Sequence, residues 1–598
     1  MRVADYIAQF IAEHEETAKT VFLVSGGGNM HLIDALGRNE KLRYVCNHHE
    51  QACAIAAEGY ARVSNKIGIA YVTTGPGGTN AITGVMGAWV DSIPMMIVSG
   101  QVKFQTTIAS QPELKLRQLG DQEINIVDIV RPITKYAVMI TDKSKVRYHL
   151  EKAVYEAKHG RPGPVWIDVP LDIQGAQVEP ELLEGFHAPS EPVYDLKIDQ
   201  VVDALKKAER PVVIAGNGIR LSGAQESFIH LVEKMHIPVL TSISGIDVIA
   251  SDNELFYGRP GILGERAANF ILQNSDLLLI IGARMNLRVV SYNWACLARD
   301  AFKIMVDIDE DELHKKTLDI DLKIHADASA FIEKMDETLT KAVDLNDAWL
   351  PFCDRMKKMY PVGADGHGSD DHVSSYYFAR ILSDCVGDDA VVVTGNGTAY
   401  TSTYQAFKVK KDGRIFANVG CASMGYDLPA AIGACFAAGR KVVCVTGDGS
   451  IQMNIQELQT IVHHRLPIVV IVFNNNGYLS IRTTQRGFFD CNYVGEGQES
   501  GVSLPDMVKI AEAYGLNTYR LRNDPEVAEH LKSIIDGVES DGPILCEVLM
   551  DPFEKLGPKV SSYKKENGSI VSKPLEDLYP FLDRKEFVSN MIVKTVEE

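Results

Sequence analysis

The chain has 598 residues, 46% of them hydrophobic and 23% charged, with a formal net charge of −19. That length exceeds a single hydrophobic core and asks for roughly three to five domains. The excess of acid excludes nucleic acid and an anionic membrane surface as main partners. No apolar stretch reaches the roughly 18 residues a membrane span needs, and the start, MRVADYIAQFIAEHEE, lacks a signal-type apolar segment. Ten cysteines are scattered without CxxC or zinc-like spacing, as in core positions of a protein kept in a reducing compartment. A soluble, cytoplasmic protein is expected.

In chain order, a short run at 44–46 leads into His48-His49-Glu50-Gln51, which opens a helix carrying Ala52, Ala54, Ala56, Ala57 and Gly59. Those small residues suit close packing against a partner surface. An apolar strand at 67–74 then precedes GPGGTN. Prolines and glutamates interrupt the pattern after Pro170. Pro211–Ala215 precedes GNG in a middle stretch whose GNGIRLSG is not GxGxxG, so nicotinamide binding is unsupported. A second linker, VGADGHGSDDHVSS, covers 362–375. Strands at 390–394 and 441–446 precede GNG and GDGS. Continuous apolar strands alternating with helices predict parallel sheets covered on both faces, an α/β architecture that is doubly wound. The C-terminal stretch contains Pro552, Pro558, Pro574 and Pro580; it cannot form a regular sheet and is expected as a tail packed across another domain, a candidate lid.

The segment 441–477 carries the chemistry. The strand KVVCVT runs into Gly447-Asp448-Gly449-Ser450, a helix is expected over 454–464, and a strand over 466–473 ends in Asn474-Asn475-Asn476-Gly477. A right-handed βαβ unit places Asp448 and Asn475 at the carboxyl ends of neighbouring strands, where open α/β sheets bind ligands. Carboxylate, amide oxygen and a turn carbonyl are the hard donors that magnesium takes together with phosphate oxygens. Gly447 and Gly449 allow close backbone approach, and Ser450 adds a hydroxyl. Either turn alone also fits an ordinary capped turn; their pairing across one βαβ unit favours a metal–diphosphate site.

This pairing, with HHEQACAIAAEGYAR, TGPGGTNAITGV, DSIPMMIVSGQV, MGYDLPAAIGA and GDGSIQMNIQEL, resembles the thiamine diphosphate-dependent enzymes over nearly the whole chain, and most of all the acetohydroxyacid (acetolactate) synthases. The resemblance implies a pyrimidine-binding domain at 1–175, a middle domain at 190–345, a diphosphate-binding domain at 375–560 and a tail at 561–598. It implies thiamine diphosphate and Mg²⁺ as cofactors, with the metal on Asp448, Asn475 and the Gly477 carbonyl. Diphosphate contacts would come from Asn396, Gly397, Thr398, Gly447, Gly449 and Ser450, with Tyr478 alongside. Ala422 would accept from the aminopyrimidine, and Met424 would wedge beneath the bent cofactor. Glu50 matches the catalytic glutamate, a carboxylate that shares a proton with the aminopyrimidine, and Gln122 a glutamine beside the reactive carbon. The resemblance also implies a homo-oligomer, dimer or tetramer, whose site lies between the Glu50 unit of one chain and the Asp448 unit of another.

The implied reaction is a carboligation: a 2-keto acid such as pyruvate loses CO₂ and its acyl carbanion equivalent adds to an acceptor carbonyl. Three departures concern substrate and flavin. No Trp lies between Asn475 and Phe489, Ala399 stands where the synthases have a histidine, and Asn286-Leu287 replaces an acidic pair in GARMNLRVV. The middle unit therefore keeps two readings, a domain holding FAD and a helix–sheet spacer, and the acceptor is a keto acid or a keto sugar. The chain lacks, between Gln101 and Ile133, the paired histidines that plain 2-keto acid decarboxylases of this superfamily carry; an oxidase would need flavin, and intact Glu50, Asp448 and Asn475 argue against an inactive regulatory subunit. His31 is read as structural. Arg482, Arg486 and Lys559 are candidate receptors for a substrate carboxylate, with surface placement the simpler reading for each.

Overall fold

A computed structural model describes residues 1–596 except 191, 364, 365, 367, 370 and 565–569, so parts of the 362–375 linker and of the 561–598 tail lie outside the described residues. Three parallel sheets organise the chain. In the first, the strand order is Arg43–Cys46, Thr17–Leu23, Ile67–Val72, Met95–Gln101, Pro164–Pro170, Tyr136–Met139. In the second it is Leu322–His325, Phe302–Asp307, Leu277–Ile281, Pro211–Ala215, Val239–Thr241. In the third it is Arg414–Phe416, Val391–Thr394, Val442–Gly447, Ile468–Asn474, Ile544–Leu549, Asn517–Leu521. Ile67–Val72, Leu277–Ile281 and Val391–Thr394 are buried throughout, as strands covered by helices on both faces must be. The fold is α/β, with three doubly wound sheets.

The third sheet reverses its direction of growth between Val391–Thr394 and Val442–Gly447. That switch opens a crevice at the carboxyl ends of these strands. Gly447 pairs with Phe473, and the Asp448 N–H donates to the Phe473 carbonyl at 3.1 Å. Asp448 and Asn475 thus leave the sheet side by side. The helix expected over 454–464 begins later, at Glu457–His463, after a 3₁₀ turn at Ile451–Met453. Asn454 interrupts it, with an extended φ of −141° and its amide donating to the Gly425 carbonyl at 2.7 Å and to Gln51 Oε1 at 3.0 Å.

The small residues of Glu50–Ser64 pack inside this chain, against Asp427–Ala438 of the third unit. A Cβ on Gly433 would stand 1.9 Å from the Ala56 carbonyl oxygen, and one on Gly59 2.4 Å from that of Ala430. A buried polar cluster stitches the same contact. Glu58 takes the Tyr426 hydroxyl at 2.6 Å and Arg62 at 2.6 Å, and Arg62 also holds Asp91 at 2.8 Å.

The tail is strapped across the middle unit. Leu575 and Phe587 enter its core. Asn269 donates to the Leu575 carbonyl at 2.8 Å, Gln273 to Glu576 at 2.6 Å and Asn274 to the Asn590 carbonyl at 2.9 Å. Among the described residues no helix is long and apolar enough to cross a membrane.

Candidate active site

The crevice of the third sheet gathers most of the residues singled out in that unit. Asp448 is buried, and its two oxygens accept from the Gly449 N–H at 2.8 Å and the Gly477 N–H at 3.0 Å. Burial pushes its carboxyl up to about 6, against the backbone N–H groups and the Arg482 charge that favour the ionised form. Asn475 donates its amide nitrogen to the Thr398 hydroxyl at 3.2 Å. Its Oδ1 is buried and has no hydrogen-bond partner among the described residues. A buried acceptor is costly to leave unpaired, and here it stands beside a carboxylate and a glycine turn. This donor set suits a divalent cation with oxygen ligands.

The loops around this pair meet at short range. Asn396 donates to the Ser423 carbonyl at 2.6 Å. Gly397 adopts φ +68°, a conformation that favours glycine. The Ser450 hydroxyl donates to Asp427 at 2.8 Å and accepts from the Gly425 N–H at 3.0 Å. Tyr478 lies over Gly449, where a Cβ would meet its ring at 2.2 Å, so glycine there makes room for the ring. Ala422 is left-handed, at φ +54°. Met424 is 39% exposed; it is not a core filler.

The first unit assembles a second group. Glu50, 9% exposed at the start of its helix, accepts from Asn80 Nδ2 at 2.9 Å. A Cβ on Gly77 would lie 3.6 Å from the Glu50 carboxylate, and one on Gly75 would lie 2.1 Å from the Gln122 carbonyl. The glycine-rich start of Pro76–Asp91 therefore seats both Glu50 and the Gln122 turn, where Gln122 has φ +60°. The far end of the same helix meets the third unit: Gly87 faces Cys421, and Asp91 accepts from the Gly420 N–H at 3.0 Å.

The other candidates separate. His31 packs against Gly175 within the first unit. Arg482 is 5% exposed, contrary to the surface placement expected of it, because its guanidinium is spent on buried acceptors of the third unit. Arg486 and Lys559 are half-buried; burial first, and the charge of Arg486 second, hold the Lys559 ammonium below the usual lysine range.

The chain matches three family models: the thiamine pyrophosphate enzyme N-terminal TPP binding domain over residues 1–124, the central domain over 198–335, and the C-terminal TPP binding domain over 395–548. It belongs to the thiamine pyrophosphate enzymes. It is 32% identical to the acetolactate synthase large subunit of Lactococcus lactis, covering 90% of this chain and 91% of that one. It is 32% identical to a probable acetolactate synthase large subunit of Methanocaldococcus jannaschii, with the same coverage. Against the chloroplastic acetolactate synthase of Arabidopsis thaliana the figure is 30%, over 92% of this chain and 82% of the other. This thiamine pyrophosphate enzyme is of the acetolactate synthase type.

A separate cleft lies between the first and middle units, lined among others by Arg161, Asn217, Ser242, Gly282, Arg284 and Asp307. Gly216 and Gly282 interlock, a Cβ on Gly216 standing 2.0 Å from the Gly282 carbonyl oxygen. Asp307 ends the strand Phe302–Asp307, and burial raises its carboxyl to about 6. Asp307 thus stands at a strand's carboxyl end beside glycine turns, where open α/β sheets bind ligands. The GNG turn, through Asn217 and Gly218, and the GARMNLRVV segment, through Gly282, Arg284 and Asn286, both line this cleft, and Arg161 of the first unit faces them.

Proposed function

We propose that this protein is a Mg²⁺–thiamine diphosphate carboligase that decarboxylates a 2-keto acid such as pyruvate and joins the acyl carbanion equivalent to an acceptor carbonyl, of a keto acid or a keto sugar. The observation that carries the reading is the unpartnered Asn475 Oδ1 beside the buried Asp448 carboxyl. Asp448, Asn475 and the Gly477 carbonyl are the oxygen donors for Mg²⁺. Asn396, Gly397, Thr398, Gly447, Gly449 and Ser450 line the diphosphate position, with Tyr478 closing over Gly449. Bound here, thiamine diphosphate supplies a nucleophilic carbon and an electron sink.

In this reading Glu50 holds a proton at its carboxylate for the aminopyrimidine, oriented by Asn80. The Ala422 carbonyl accepts from the ring amine, Met424 supports the cofactor's bend, and Gln122 stands near the reactive carbon. As in the family's architecture, the working site is shared in a homo-oligomer, Glu50 of one subunit facing the diphosphate unit of another. Arg486 and Lys559 are the cations for a substrate carboxylate. The inter-unit cleft is taken as a nucleotide seat, with FAD as its candidate occupant. All ten cysteines are free, in keeping with a reducing, cytoplasmic setting.

The test is incubation with pyruvate, thiamine diphosphate and Mg²⁺, with and without 2-keto acid and keto-sugar acceptors, followed by product identification. A coupled product with CO₂ is expected. Carbon dioxide with free aldehyde would replace the carboligase by a decarboxylase, and peroxide would replace it by an oxidase.

A further inference from the structure

Arg482 lies on Leu479–Phe488, a helix that buries only Leu479 and Arg482. Its guanidinium reaches three separate stretches of chain. Nε donates to the Glu496 carboxylate; Nη1 donates to the carbonyls of Asn475, at 3.2 Å, and Pro552; Nη2 donates to the carbonyl of Asn476 at 2.8 Å. The Phe553 ring stacks on it at 5.3 Å. The carbonyls of Asn475 and Asn476 belong to the turn that follows Ile468–Asn474. That turn is left-handed at two successive positions, Asn476 at φ +56° and Gly477 at φ +128°, which Asn and Gly adopt more readily than other residues. A Cβ on Gly477 would stand 2.1 Å from the Glu496 carbonyl and 3.0 Å from Arg482 Nη2.

We infer that Arg482, braced by Glu496, is the positioning residue of the metal turn. It gathers the Asn475 and Asn476 carbonyls on one side, so that the Gly477 carbonyl and Asn475 Oδ1 face Asp448. A planar guanidinium with five donors can bind these diverging acceptors at once, whereas an ammonium cannot. The inference rests on the Mg²⁺–thiamine diphosphate reading of the crevice.

The test is thiamine diphosphate binding by the full-length protein, followed by fluorescence quenching across a Mg²⁺ titration, with no substrate present. Arg482→Lys keeps the charge opposite Glu496 but loses the fork. The Mg²⁺ concentration for half-maximal binding is expected to rise about tenfold or more, the scale for residues that orient metal ligands, with full binding recovered at high Mg²⁺. Arg266→Lys is the control: Arg266 is equally buried but bonds tail carbonyls of Leu578 and Pro580, and the wild-type midpoint is expected. A wild-type midpoint in folded Arg482→Lys overturns the assignment. Should that variant not fold, Glu496→Gln loosens the brace, and an unchanged midpoint there overturns it equally. Absence of Mg²⁺-dependent binding in the wild type would instead remove the cofactor reading itself, and the positioning role with it.

Discussion

Glu457, wholly buried in the third unit, accepts from Asn47 Nδ2 of the first unit at 2.8 Å; its other oxygen takes the His48 N–H at 2.9 Å. The Thr460 hydroxyl adds a third bond at 2.8 Å. Asn47 and His48 form the turn that delivers Glu50, and Glu457 begins the helix that follows the GDGS loop. One carboxylate therefore ties the turn that precedes Glu50 to the third unit. Glu457→Ala leaves three donors facing a cavity, and unpaired buried groups cost about 1–3 kcal/mol each before relaxation. A clear drop in the urea midpoint is expected, with a loss of turnover beyond what reduced folding explains; an unchanged midpoint would sink this account of the contact.

The pair Asp448 and Asn475 was legible because both follow apolar strands at the ends of one βαβ unit, so topology alone sets them side by side. Glu50 was legible only through the family resemblance, since an acid in a first helical turn has an ordinary dipole role. Arg482 was not legible. Its acceptors are carbonyls at 475, 476 and 552 and the Glu496 carboxylate, and no local spacing announces a long-range set of backbone oxygens. The default for a charged residue on a polar helix is the surface. Asn80, the partner of Glu50, was hidden for a similar reason: it sits among glycines of the next helix, where only the packing of two helices gives it meaning.

Asp168 gives a pH dependence. It is fully buried on Pro164–Pro170, accepting from Ser99 at 2.6 Å and Gln101 at 3.2 Å, and burial raises its carboxyl to about 7. The unfolded value is near 3.9, so the folded state binds the proton more tightly. Its contribution is fully present below that unfolded value and is lost as pH rises through about 7. Asp168→Asn is expected to flatten the fall of the denaturation midpoint over this window. An identical slope in both proteins would assign the dependence elsewhere.

Burial first, and the charge of Arg486 second, depress the Lys559 ammonium. Two cations held together lower their repulsion when an anion binds between them. Arg486→Gln should therefore raise KM for the 2-keto acid about tenfold while leaving kcat within a few-fold, the signature of a contact made equally in ground and transition states. A loss confined to kcat would place Arg486 in the chemistry instead.

The inter-unit cleft makes a spectroscopic prediction. If Asp307 and the interlocked Gly216 and Gly282 turns seat FAD, the purified protein carries absorbance near roughly 450 nm, the flavin's own property. Asp307→Ala should release that chromophore while leaving Mg²⁺-dependent thiamine diphosphate binding intact. A colourless wild type that FAD cannot reconstitute assigns the middle unit to spacing.

The shared site has the sharpest test. Gly77 and Asn80 attend Glu50 at one end of Pro76–Asp91, while Gly87 and Asp91 meet Cys421 and Gly420 at the other. Glu50→Gln should fold and assemble yet lose turnover by about two to four orders of magnitude, the scale of a missing proton-transfer group. Asp448→Asn should lose Mg²⁺-dependent cofactor binding. If each site takes Glu50 from one chain and Asp448 from the other, a mixed dimer of these inactive variants contains one site with both residues intact. Random reassortment makes half the dimers mixed, so mixing the two should restore about one quarter of wild-type activity. If the site were built within a single chain, every site in every dimer would lack Glu50 or Asp448, and mixing would restore nothing.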